Sequence, residues 1–327
     1  MFQMKTYRIP NTDLDVSRIA FGTGGLGGTW DQAPITQDLR DRAKTLLHTA
    51  IELGINFIDL ADVYTWGKSN RVVGDVIQNT PSFREKVILQ SKAGIKLPGQ
   101  IAANSTTVYD FSYENLITSV ETTLERLKTD YLDILLLHRP SALVEPEEVA
   151  RAFDTLHTSG KVRYFGVSNH TSFQIALLQR YVDQPFVVNQ VELNLLHNDL
   201  INDGLLFNNQ EQLYSGAHGT LDYCRQHDIL IQAWSPVAKG KLFTPPESAS
   251  EIIKATAIKI DQMAKKHNTT PEAIAIGWLL HHPAKIQPIL GTLKPHRIVD
   301  SVRADDVNLS RLEWYTLLEI ANGQSVP

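Results

Sequence analysis

Short apolar runs alternate with stretches of helical periodicity along the whole chain. Residues 16–22 form the first run and end in Gly22, after which Leu39, Ala43, Leu46, Leu47 and Ala50 recur on one helical face. Gly54 gives that helix a left-handed stop. Further strands are predicted over 55–60, 86–92, 131–138, 161–167, 186–193, 229–234 and 286–290. Helical patterns fall near 70–77, 117–127, 149–156, 173–181, 221–226, 251–266, 295–303 and 312–321, and one more opens at Pro271 with Thr270 as its cap.

Strands that read as continuous apolar runs are buried on both faces, which implies a parallel sheet covered by helices. Eight such strands, each followed by helix and with no linker between, favour a closed barrel over an open doubly wound sheet. The expected architecture is a single α/β domain over 1–327, a (β/α)8 TIM barrel with extra C-terminal helices. An N-terminal β-hairpin, with arms at 6–8 and 11–14, is placed to plug the barrel floor.

Composition narrows the function classes. With 31 basic and 36 acidic residues the net charge is −5, which gives no nucleic-acid footprint. The longest apolar run, 273–280, falls well short of the about 18 residues that span a bilayer, and the start carries no apolar leader, so a cytoplasmic protein is expected. The one cysteine, Cys224, excludes a disulfide framework and a thiolate metal cluster within the chain. His281 and His282 lack metal-ligand spacing with any other group, so no metal is expected.

Residues 22–27 match G-x-G-x-x-G after a strand. That fingerprint binds a dinucleotide only where a helix opens at the third glycine. Here Gly28, Thr29, Trp30, Asp31 and Pro34 follow, and the helical pattern begins only near Thr36. The glycines are read either as a loop that lets a ligand approach closely or as a plain tight turn.

In a β/α barrel the catalytic side chains sit at the C-terminal strand ends. Three neighbouring ends present Asp59 with nearby Tyr64, Lys92, and His138. A tyrosine near its ordinary pKa of about 10 is a sluggish acid, and a lysine ammonium beside it favours the phenolate and lowers that value. A carboxylate keeps the lysine charged, and a histidine can bond the substrate oxygen. The set suits protonating an oxyanion as it forms on a carbonyl carbon. Taken singly, each residue also has an ordinary structural use as a loop cap, solvated charge or packing group.

The segments GINFIDLADVY, VILQSKAGI, YLDILLLHRP, GKVRYFGVSNH, NQVELN and QAWSPVAKGKLF resemble the aldo-keto reductase superfamily, in its order and over nearly the whole chain. The likeness is nearest to a bacterial subgroup of mostly unassigned substrates. It implies NADP(H) bound without a Rossmann fold and reduction of an aldehyde or ketone carbonyl. By resemblance Tyr64 is the general acid, Lys92 and Asp59 its tuning pair, and His138 the carbonyl-orienting residue. Ser168, Asn169 and Gln190 would hold the nicotinamide carboxamide, with Trp234 stacked on the ring. Ser235 and the backbone through Lys241 and Leu242 resemble the pyrophosphate loop. Arg297 matches the 2′-phosphate contact; Gly291 and Thr292 stand where many members carry Lys-Ser, and Lys294 supplies a nearby cation.

Three loops, 24–36 with Trp30, 97–112 with Tyr109 and Phe111, and 194–215, are expected to shape the pocket. His170 either touches substrate or caps the next helix, and Cys224 is a packing residue. The implied partner is a small carbonyl compound, and the chain a monomer or loose homo-oligomer. The competing reading is an NADP-binding regulatory subunit with little turnover.

Overall fold

The computed structural model of the chain describes residues 4–206 and 216–327. Its strands in chain order are β1 (Thr6–Arg8), β2 (Asp15–Ser17), β3 (Ala20–Gly22), β4 (Phe57–Asp59), β5 (Ile88–Ala93), β6 (Ile95–Lys96), β7 (Val108–Tyr109), β8 (Leu132–Leu137), β9 (Val162–Ser168), β10 (Phe186–Glu192), β11 (Leu230–Trp234) and β12 (Gln287–Leu290). The helices are α1 (Gln37–Glu52), α2 (Lys68–Asn79), α3 (Tyr113–Leu127), α4 (Pro146–Thr158), α5 (Ser172–Gln179), α6 (Asp199–Leu205), α7 (Thr220–Gln226), α8 (Glu251–Lys266), α9 (Pro271–Leu280), α10 (Pro295–Val302) and α11 (Arg311–Asn322). Residues 207–215 of the expected 194–215 loop lie outside the described residues.

Strands β3, β4, β5, β8, β9, β10, β11 and β12 close into a parallel barrel, sealed where Ile289 of β12 pairs with Ala20 of β3. The expected (β/α)8 barrel is therefore the fold, with β1 and β2 as the N-terminal hairpin and α10 and α11 following the last strand. The hairpin differs in register from expectation. Its second arm is 15–17 rather than 11–14, with Thr6 opposite Ser17, and the apolar run 16–22 is divided between hairpin and barrel. Residues 11–14 instead make the turn, where Ile9 N–H donates to the Leu14 carbonyl (3.0 Å) and Asn11 takes a left-handed φ of 59°. The loop 97–112 likewise contains β7, paired antiparallel with β6.

The local sequence explains the helix ends. Thr36 Oγ1 accepts from the Leu39 N–H to start α1, and the inward face is Ala43, Leu46, Leu47 and Ala50, as the periodicity implied. Gly54, with φ 84°, turns the chain after it. Thr270 caps α9 in front of Pro271. Among the described residues no helix is long and apolar enough to cross a membrane.

Two apolar layers hold the barrel. The larger lies between the strands and the helix ring, and the smaller fills the lower barrel, where Ile9, Leu14 and Val16 of the hairpin pack under Phe57, Ile134 and Val188. Above this floor the interior turns polar, so the functional side chains are confined to the C-terminal mouth. Helices α2 and α3 cross very closely at Gly74, where a Cβ would run into the Arg126 carbonyl oxygen and Leu127 backbone. Gly74→Ala is expected to destabilise the fold by about 1–3 kcal/mol through overpacking, read as a lower urea midpoint.

Candidate active site

The site is built from three strand ends and the turn that follows the first of them. Asp59 is the last residue of β4, Lys92 the fifth of β5, and His138 the first beyond β8. Tyr64 opens a tight turn, Tyr64–Gly67, in which Thr65 (φ 49°) and Trp66 (φ 60°) are left-handed. Conformations of that kind are costly for residues with a Cβ and persist where the surroundings impose them. The turn brings the phenol back over the barrel mouth.

These side chains meet. The Lys92 ammonium donates to both carboxylate oxygens of Asp59 (2.7 Å each), to the Leu60 carbonyl (2.8 Å) and to the Tyr64 hydroxyl (3.0 Å). An ammonium only donates, so the phenol oxygen accepts in that bond and its own proton is free to point elsewhere. Asp59 is further held by the amides of Gln90 (2.8 Å) and Gln190 (2.9 Å), and both amides also donate to Gln232. Gln232 in turn donates to Gln287 (2.8 Å). Sequence reasoning did not single out Gln90, Gln232 or Gln287. The available signal was a glutamine inside three separate apolar strands, where an unpaired amide would be costly.

Burial opposes the charge on Lys92, but the Asp59 carboxylate and the Tyr64 phenol outweigh it and raise the lysine above its ordinary value. Tyr64 departs from expectation. Its burial pushes the hydroxyl up, Lys92 pulls it down, and burial prevails, so the phenol lies above rather than below the ordinary tyrosine value. Burial, reinforced by Lys92 and Arg139, holds His138 well below its ordinary value, and its imidazole is neutral at pH 7. The His138 ring lies edge-on to Tyr64, with centroids 5.8 Å apart.

Tyr64 and His138 border a cavity of about 290 Å3 that is also lined by Gly22, Gly24, Ser168, Asn169, Gln190 and Trp234. No helix opens at the third glycine of the 22–27 segment; α1 begins at Gln37, and Gly24 lies against the Tyr64 ring. Asn169, left-handed at φ 62°, fastens the floor. Its amide nitrogen donates to the His138 carbonyl (3.2 Å) and Ser168 Oγ (2.8 Å), and its oxygen accepts from the Trp234 indole (3.0 Å). Ser168 Oγ donates to the Gln190 carbonyl (2.9 Å).

Ser235 and Gly291 also line a second cavity of about 440 Å3, so the two adjoin there. This one is lined by Thr292, Lys294 and Arg297, by Lys239 and Gly240 of the expected 235–242 backbone, and by Glu272, which the sequence did not suggest. Lys241 and Leu242 do not line it, and Leu242 is fully buried. No neighbouring atom would meet a Cβ at Gly240 or Gly291, so the backbone there stands open. The adjoining cavities, with the Trp234 indole in the first and the cations of Lys239, Lys294 and Arg297 in the second, suit a nicotinamide cofactor.

Other candidates fall outside the mouth. Neither Tyr109 nor Phe111 borders the cavity at Tyr64; Phe111 is buried and stacks on His170. His170 does not cap α5, because Thr171 does so in a reciprocal capping box with Gln174. Cys224 is buried and its thiol is pushed up to about 12, chiefly by burial, which suits packing rather than nucleophilic use.

The sequence model described as the Aldo/keto reductase family matches residues 18–322. The chain is 33% identical over 326 residues to a 6-dehydroglucose reductase of Novosphingobium aromaticivorans, covering 98% of this chain and 96% of that protein. It is 32% identical over 314 residues to a protein of the same name from Agrobacterium fabrum, covering 96% and 97%. In fold it is similar to a glycerol dehydrogenase from Gluconobacter oxydans, with a TM-score of 0.82 at 24% identity over 98% of this chain and 95% of that one. The chain therefore belongs to the aldo/keto reductase family and is an oxidoreductase that acts on carbonyl compounds.

Proposed function

We propose that the whole chain, 1–327, works as one catalytic domain that reduces a small aldehyde or ketone with NADP(H), Tyr64 giving the proton. The observation that carries this reading is the buried chain Asp59–Lys92–Tyr64, which delivers one polarised hydroxyl to the cavity mouth. A hydroxylated aldehyde is the first substrate to try, since two similar proteins bear the name 6-dehydroglucose reductase.

Trp234 would carry the nicotinamide face, with Ser168, Asn169 and Gln190 around the carboxamide. Lys294 and Arg297 would hold the 2′-phosphate, for which a guanidinium offers two donors. Reduced nicotinamide supplies a hydride to a carbonyl carbon. The chain's residues do the rest. Neutral His138 orients the carbonyl oxygen by a hydrogen bond, and Tyr64 donates its proton as negative charge builds there. Lys92 lowers the cost of the phenolate left behind, and Asp59 keeps Lys92 charged.

Three outcomes follow from these roles. Tyr64→Phe should cut the rate of NADPH oxidation with an aldehyde by a factor on the order of 10²–10⁴ while NADPH still quenches protein fluorescence. Unaltered turnover would remove Tyr64 from the mechanism. Because Tyr64 is raised and His138 depressed, the reduction rate should stay level between about pH 6 and 9 and fall only in alkali as the phenol ionises. An acid limb centred near the ordinary histidine value would contradict the neutral imidazole. Arg297→Ala should weaken NADPH binding by about 10–100-fold and leave NADH binding nearly unchanged, read by fluorescence titration.

A further inference from the structure

We propose that Lys68 and Asp31 form a clamp that fixes Trp30 as a wall of the carbonyl site, which makes both of them positioning residues; this rests on the reductase reading for its kinetic consequence only. The glycine-rich segment is attached to the catalytic turn in two places of different character. Its first part, 23–28, is welded on by packing. Gly27 N–H donates to Ser69 Oγ (3.2 Å), Ser69 Oγ donates to the Thr23 carbonyl (2.8 Å), and a Cβ at Gly27 would overlap Thr65 Oγ1 and Lys68 Cβ.

The next part has no such weld. Residues 29–34 are exposed and belong to no helix or strand, and Trp30 is 55% exposed. Yet its indole meets the Tyr64 ring edge-on, with centroids 6.4 Å apart. What holds it is its neighbour. Asp31 Oδ1 accepts from the Lys68 ammonium (2.7 Å) and the Ala33 N–H (3.0 Å), and Oδ2 accepts from the Thr29 hydroxyl (2.6 Å). One carboxylate thus folds 29–33 around itself and ties the fold to α2.

Lys68 has no other hydrogen-bond or ion-pair partner among the described residues, and its side chain is only 8% exposed. It is the first residue of α2, where the helix dipole disfavours a cation. Asp31 compensates by bringing an anion to that end of the helix. The Lys68 hydrogen bond, with those of Thr29 and Ala33, pulls the Asp31 carboxyl down to about 2, so the clamp stays closed over the working pH range. Lys68 follows directly on the turn that carries Tyr64, so one contact couples the position of the indole to that of the phenol.

The test uses the intact chain labelled with 5-fluorotryptophan, whose Trp30 line is assigned through Trp30→Phe. In Lys68→Met and in Asp31→Asn the Trp30 fluorine line should move to the position of a solvated indole. KM for a bulky aldehyde should rise by about tenfold with kcat changed less than twofold and NADPH affinity unchanged. Lys68→Arg should restore both readouts, and the double variant should be no worse than either single one. A Trp30 line unmoved in both single variants overturns the clamp, whatever the enzyme turns over. A line that moves while KM stays level for every aldehyde that is turned over overturns the wall. Absence of turnover in the wild type would sink the reductase reading alone, because the fluorine line still reports on the clamp.

Discussion

A lysine and an aspartate, both almost wholly buried, face each other at 2.7 Å across two barrel strands, and the arrangement of the mouth depends on that pair. Moving an isolated ion out of water costs at least several kcal/mol, so neither charge would survive here alone. The pair is tolerable because each ion has further partners besides the other. Asp59 takes two amides as well as the ammonium, and Lys92 reaches a backbone carbonyl and a phenol. Tyr64 is thus one terminus of a network whose other end reaches the floor hairpin, where Gln287 donates to the Ser17 carbonyl (2.7 Å).

This network also explains the layering of the barrel. A wholly apolar interior packs well but offers nothing to hold an ion. A polar interior needs each amide to find a partner across the barrel, and glutamines on four strands do so here: Gln90, Gln190, Gln232 and Gln287. The apolar hairpin layer below keeps water from entering at the floor, and the amide layer above orients the ion pair. The same mouth also holds left-handed backbone at Thr65, Trp66, Asn169 and Ser235.

The tyrosine illustrates how two opposing effects are weighed. Proximity to an ammonium argues for a more acidic phenol, and the contact is present at 3.0 Å. Burial argues the other way, and Asp59 behind the lysine cancels much of its field. A nearly neutral Asp–Lys unit acidifies a phenol far less than a bare cation does. The arrangement keeps the proton on the tyrosine, with the Lys92 ammonium 3.0 Å from its oxygen.

The order and type of nearly every element were legible in the sequence, because continuous apolar strands and one-sided helices record burial directly in residue spacing. So were Asp59, Tyr64, Lys92 and His138, since a barrel puts all strand ends at one rim and residue type then suffices. The hairpin register was not legible: Val16 and Ser17 run on without a break toward β3, and only pairing with Thr6–Arg8 assigns them to the hairpin. Nor was the phenol's shift, which depends on how much water surrounds the group and how the lysine is itself neutralised. The glutamine layer, the lining of the second cavity and the tie between Lys68 and Asp31 likewise arise from contacts between distant segments. Spacing along a chain encodes which face is buried, but which polar atoms meet across a closed barrel is decided only when the barrel closes.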